Sequence, residues 1–204
     1  EIDRLLTRNN ATSTTQTKLL RAQIALIKGN AARQKEAATE LTKLSERTDA
    51  AGVNAKRLLA RHFASLWQRD ALDVSSPKTI EHFERSSNIQ QEILRSPEAT
   101  PDDYAKYAQL LIAAGFAQYE QDRKPEAQNM ADMAERAIRN LEDQSGSSIA
   151  SLRLEIRLDQ LQAELAGNAI DSAELAEKTT QRWIDNVGEL ESFCEQKVWA
   201  IAGR

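Results

Sequence analysis

The sequence predicts an all-α protein of antiparallel helix pairs stacked in series, and three observations carry that expectation. Helix-breaking residues are scarce, with 7 Gly and 4 Pro in 204 residues, and aromatic residues make up only 5%. Ala, Leu, Gln, Glu, Lys and Arg dominate, and these side chains lose little rotamer freedom in a helix. Apolar residues recur at three- and four-residue spacing rather than in strict alternation, and turn signals return at a near-constant interval.

Taken in order, Ile2, Leu5 and Leu6 read as the end of a helix, and the polar run Thr7 to Thr15 as a turn. From Thr14 to Lys28 a helix is expected with Leu19, Leu20, Ala22, Ile24 and Ile27 inward, stopped at Gly29-Asn30 because both residues tolerate a left-handed C-cap. A second helix should run to about Arg47. Asn54 to Arg69 carries Leu58, Leu59, Phe63, Leu66 and Trp67 on one stripe. Ser75-Ser76-Pro77 opens the next helix, since proline is favoured in a first turn where its missing N–H costs nothing. That helix uses Ile80, Phe83, Ile89, Ile93 and Leu94 and ends before Ser96-Pro97.

Thr100-Pro101-Asp102-Asp103 combines an N-cap hydroxyl, a proline and two carboxylates at the positive end of the helix dipole. The helix it starts should bury Tyr104, Ala108, Leu111, Ile112 and Phe116. Lys124-Pro125-Glu126 opens its partner, with Met130, Met133, Ala134 and Ile138 inward, and Gln144 to Ser148 is a polar turn. Ile149, Leu152, Ile156, Leu161 and Leu165 define a further helix stopped at Gly167-Asn168. Its partner would use Leu175, Ala176, Thr179 and Trp183, and a last segment carries Leu190, Phe193, Val198, Trp199 and Ile201.

Gly29-Asn30-Ala31 and Gly167-Asn168-Ala169 stand 138 residues apart, three steps of 46. The intermediate steps fall on Ser75 and Gln121, at or close to expected turns between a first and a second helix. Self-similarity at such a period marks a solenoid, in which no unit can bury its apolar stripe alone. A single helical-repeat domain over residues 1–204 is therefore expected, with units near 14–47, 53–95, 101–142 and 149–187 and a C-terminal helix over 189–204. The opening at Glu1 and the interrupted units at both ends fit a piece cut from a longer protein.

Gly115-Phe116-Ala117-Gln118-Tyr119, followed by Glu126-Ala127, Ala131 and Ala134, resembles a tetratricopeptide repeat, and Leu165-Ala166-Gly167-Asn168 with Ala173 and Ala176 follows the pattern less closely. The units depart from that family in length, about 46 residues against 34, and in lacking its full Trp-Leu-Gly-Tyr spacing. The resemblance implies a right-handed α-α superhelix whose inner surface, lined mainly by first helices, binds peptides or proteins.

Charge divides along the chain. Residues 1–100 hold 16 Lys and Arg against 12 Asp and Glu, and residues 101–204 hold 11 against 19. That split argues against a continuous nucleic-acid surface. Cys194 is the one cysteine, which excludes an intramolecular disulfide or a cysteine metal site. No run of about 18 apolar residues marks a membrane span, and no signal segment opens the chain.

Catalytic signatures are lacking as well. Gly-rich phosphate loops and nucleophile elbows do not occur. His62 and His82 are too far apart for a two-histidine zinc helix, and Glu81-His82 beside Glu84 reads as a surface charge cluster. Trp67 and Trp183 read as core, and Cys194 as a buried inert thiol. No enzyme, cofactor or metal is expected, and composition assigns no compartment.

One charge pattern points to binding. Lys18, Arg21 and Lys28 in one first helix, and Lys56, Arg57, Arg61 and Arg69 in the next, occur with no anion among residues 14–28 and 53–69. If first helices line a groove, Lys18, Arg21, Lys56, Arg57 and Arg61 are its candidate contacts for an acidic peptide or terminal carboxylate, with Arg57 and Arg61 foremost. The expected function is a protein-interaction module. A regulatory segment of a larger signalling or membrane protein, and self-association of the basic half of one copy with the acidic half of another, are the alternatives.

Overall fold

The computed structural model describes residues 14–146 and 148–167, together with residues 177, 181 and 184. Seven helices occupy it: α1 (Thr15–Lys28), α2 (Ala31–Ser45), α3 (Ala50–Asp70), α4 (Pro77–Leu94), α5 (Pro101–Glu120), α6 (Lys124–Ser145) and α7 (Ile149–Ala166). They pack as sequential antiparallel pairs, α1 on α2, α2 on α3 and α3 on α4, with a smaller contact between α1 and α3, and α6 on α7. The chain divides into two compact units, residues 1–103 and 104–204. The expected helix end at Ile2 to Leu6, the helix with Leu175 and Trp183, and the segment over 189–204 with Cys194 lie outside the described residues.

Local chemistry sets the starts. Thr14, Asn30 and Asp49 each accept a backbone N–H of the first turn, from Thr17, Arg33 and Gly52 at 3.3, 3.0 and 3.1 Å. Ser148 and Ser151 form a reciprocal cap on α7. Such caps contribute about 1 kcal/mol each. Asp49 starts α3 at Ala50, earlier than the apolar stripe from Asn54 suggests.

The α1–α2 turn corrects a sequence expectation. Gly29 is extended, with φ −76° and ψ 155°, and Asn30 is the N-cap of α2 with φ −71°, so neither is left-handed. Glycine is needed there for close approach: a Cβ on Gly29 would lie 2.2 Å from the Ala25 carbonyl oxygen. At the end of α7, Gly167 does adopt the left-handed cap, with φ 63°.

In the first unit, Ala22, Ala37, Leu41, Ala55 and Leu59 form a core against which Leu19, Leu26, Leu44 and Phe63 pack. A neighbouring cluster joins Val53, Ala60 and Ile93. The α3–α4 seam is partly polar, with the Ser86 hydroxyl donating to the Ala60 carbonyl at 2.9 Å and Thr79 to the Asp70 carbonyl at 3.1 Å. Trp67 is buried as expected, its ring 6.0 Å from that of Phe83.

In the second unit α6 presents a row of small residues, Ala127, Ala131, Ala134 and Ala137, continued by Ile138 and Leu141. Gly115 of α5 is buried where a Cβ would lie 2.4 Å from Leu161 Cδ2 of α7 and 3.5 Å from the Ala127 carbonyl of α6. The apolar stripes read from sequence are incomplete here and in the first unit. Leu154 and Leu158 are buried in α7 while Ile149 is half exposed, and Leu20, Ile27 and Ile80 face outward. In α1 the apolar residues cover two stripes, and the core takes the one holding Leu19, Ala22 and Leu26.

Candidate binding groove

Between α1 and α2 lies an open groove of about 1140 Å³. Its walls carry Lys18, Arg21 and Lys28 from α1 and Arg33, Lys35 and Lys43 from α2, against two carboxylates, Glu36 and Glu40. Its apolar lining comes from Ala25, Ala32 and Leu44, with the nearly buried Ala22 and Ala37. The tight Gly29-Asn30 turn brings both rows of cations to one cleft, and the Gln34 side-chain amide fixes the pair by donating to the Leu26 carbonyl at 3.0 Å. A cleft lined by cations and small apolar residues suits an anionic segment with apolar side chains.

The five residues singled out from sequence divide among four environments. Lys18 and Arg21 lie in this groove. Lys56 pairs with Glu92 of α4 at 2.6 Å and lines a separate cleft of about 420 Å³ with Ser45, Arg47 and Ser96. Arg61 is exposed on α3.

Arg57 is committed inside the first unit. Its Nε and Nη2 reach the two oxygens of Asp103 at 2.9 and 2.7 Å, Nη2 also donates to the Glu98 carbonyl at 2.7 Å, and Nη1 donates to Asn54 at 2.9 Å. Burial alone pushes the Asp103 carboxyl up, but hydrogen bonds from Arg57 and Thr100 outweigh it and hold the group below the usual carboxylate range. Asp103 is only 1% exposed. Its position in the first turn of α5 suggested a helix-dipole partner; the structure adds a fork with Arg57, 46 residues earlier.

Arg33, Lys35 and Lys43 escaped the sequence reading because it sought the groove on first helices alone. The cations of α2 were the available signal. His82 also departs from expectation: Glu81 pairs with Arg85 at 2.8 Å, whereas the His82 side chain is largely covered, with Nδ1 3.6 Å from Asp70 Oδ2. Neither of those two facing atoms has a hydrogen-bond partner. The Phe63 ring stands 5.6 Å from His62 and 6.3 Å from His82. Among the described residues no helix is long and apolar enough to cross a membrane.

No family model matches the chain, and no curated protein or solved structure matches it significantly. The tetratricopeptide resemblance rests on the residues that carry it.

Proposed function

We propose that the protein is an interaction module, a scaffold or adaptor, that takes an acidic protein segment in the α1–α2 groove. The observation that carries this reading is a groove lined by six Lys and Arg side chains and several apolar residues, with two carboxylates among them. None of the six is ion-paired within the described residues, so their charge is available to a partner. The proposed repeat architecture rests on a second regularity: Gly29, Ser75, Gln121 and Gly167, spaced by 46, each follow the end of an odd-numbered helix. Stacked helix pairs of tetratricopeptide-like kind would present such a groove as part of a longer binding surface.

Titration of a fluorescent peptide of alternating Glu and Leu character into the protein tests the groove. Each exposed ion pair contributes about 0.2–1 kcal/mol, and reversal adds repulsion. The double variant Lys18→Glu/Arg21→Glu should therefore weaken binding about tenfold, the equivalent of 1.4 kcal/mol. Arg61→Glu, outside the groove, should leave affinity unchanged. Equal binding of a Lys-rich peptide, or no loss in the double variant, would overturn the assignment.

A further inference from the structure

We propose that the acidic occupant of the groove is residues 184–195 of a second copy, so that copies join head to tail. This inference rests on the groove reading above and gives it a partner. Two like-charged runs in the sequence support it. Between Asp3 and Glu36 there is no acidic residue, and that stretch supplies Lys18, Arg21, Lys28, Arg33 and Lys35. Between Arg182 and Lys197 there is no cation, and that stretch holds Asp185, Glu189, Glu191 and Glu195.

The apolar residues match as well as the charges. Beside its cation row α1 turns Leu20 and Ile27 outward, 44% and 70% exposed, with Ile24 between them at the lip of the groove. Positions 20, 24 and 27 form one stripe at helical spacing. The acidic run interleaves Ile184, Val187, Leu190 and Phe193 with its carboxylates. A second cation-free run, residues 158–177, begins within α7, where Leu158 and Leu161 are already buried.

Because the groove and the acidic run occupy different parts of the chain, the contact is heterologous. It propagates unless the rotation between copies closes a ring. Cations beside an apolar stripe would also suit an anionic membrane surface, but Glu36 and Glu40 in the same cleft oppose a uniformly negative sheet and suit a partner with discrete charges.

Multi-angle light scattering on the whole chain tests the proposal. Apparent mass should rise with concentration at low salt and return to the monomer value near 1 M salt, where the Debye length is about 3 Å. Lys18→Glu/Arg21→Glu and Glu189→Lys/Glu191→Lys chains should each remain monomeric, with unchanged circular dichroism melts. Their equimolar mixture should give a 1:1 dimer, because one variant keeps the acidic run and the other the groove.

A labelled peptide of residues 183–196 supplies a second measurement if either variant misfolds: it should bind the wild-type chain and bind Lys18→Ala/Arg21→Ala about tenfold more weakly. A wild-type chain that is monomeric up to its solubility limit at low salt would overturn the proposal. So would a variant mixture that stays monomeric, a peptide that does not bind, or binding to anionic vesicles in place of self-association. In each case binding of an unrelated acidic peptide would leave the groove reading standing.

Discussion

Asp103 keeps its charge in a nearly closed environment because Arg57 offers a planar fork and Thr100 donates both its backbone N–H and its hydroxyl to Oδ2, at 2.9 and 2.8 Å. Removing one partner of a buried pair costs about 3–5 kcal/mol. Arg57 is 28% exposed at its side chain, which lets water replace part of the loss. Arg57→Ala should therefore destabilise the protein by about 2–4 kcal/mol in urea denaturation, with Arg57→Lys intermediate because an ammonium cannot reproduce the fork. The histidines make a separate prediction about pH. Burial lowers the proton affinity of His62, and the neighbouring His82 and Arg69 lower it further. Burial likewise lowers that of His82, against an opposing pull from Asp70 and Glu81 and with a further lowering from Lys78 and Arg69. As pH falls below about 6.5 the unfolded chain takes up these protons before the folded one. Stability should decline through that window and level off once the folded imidazoles titrate. Melting temperatures at stepped pH should record this slope in the wild type and a flatter one in His62→Gln/His82→Gln.

Helix starts were legible where a proline or a polar turn stands directly before the apolar period. Pro77, Pro101, Lys124-Pro125 and Ser148 open α4, α5, α6 and α7 where the residues imply. The α3 start was not, because Asp49 is followed by Ala-Ala-Gly, which carries no apolar period. Which stripe of a helix faces inward was legible for α6 and less so for α1, whose apolar residues fit two faces and whose neighbours alone select one. The close approach at Gly115 belongs to the same class, since a glycine inside a helical pattern does not reveal the side chain it makes room for. Gly115→Ala tests the contact by setting two magnitudes against each other. Alanine gains about 1 kcal/mol in helix propensity, whereas overpacking a close-packed site costs about 1–3 kcal/mol. Leu161 is fully buried and the added Cβ would stand 2.4 Å from its Cδ2. The substitution should therefore lower stability, by up to about 2 kcal/mol, and Leu161→Ala in the same chain should remove the overpacking, so that the two changes are non-additive in a double-mutant cycle.

At the scale of the molecule, the described packing is mostly local along the chain, α1 on α2, α2 on α3, α3 on α4 and α6 on α7. The turns expected at Gly29, Ser75, Gln121 and Gly167 fall in the segments that follow α1, α3, α5 and α7. The groove was less legible, because its cations come from both members of a pair and a one-dimensional charge count assigns them to separate helices. Neighbour-to-neighbour packing has a thermodynamic consequence that compact folds with many distant contacts do not share. Stability becomes a sum of local terms, and a defect loosens its own neighbourhood before it is felt elsewhere. Arg57 and Asp103 both belong to the unit formed by residues 1–103. Arg57→Ala should thus accelerate amide hydrogen exchange in α3 and α4 strongly, while α6 and α7, in the second unit, keep protection close to that of the wild type. Uniform acceleration across all the helices would mean that the two units unfold as one cooperative body, and the local account of stability would then have to be abandoned.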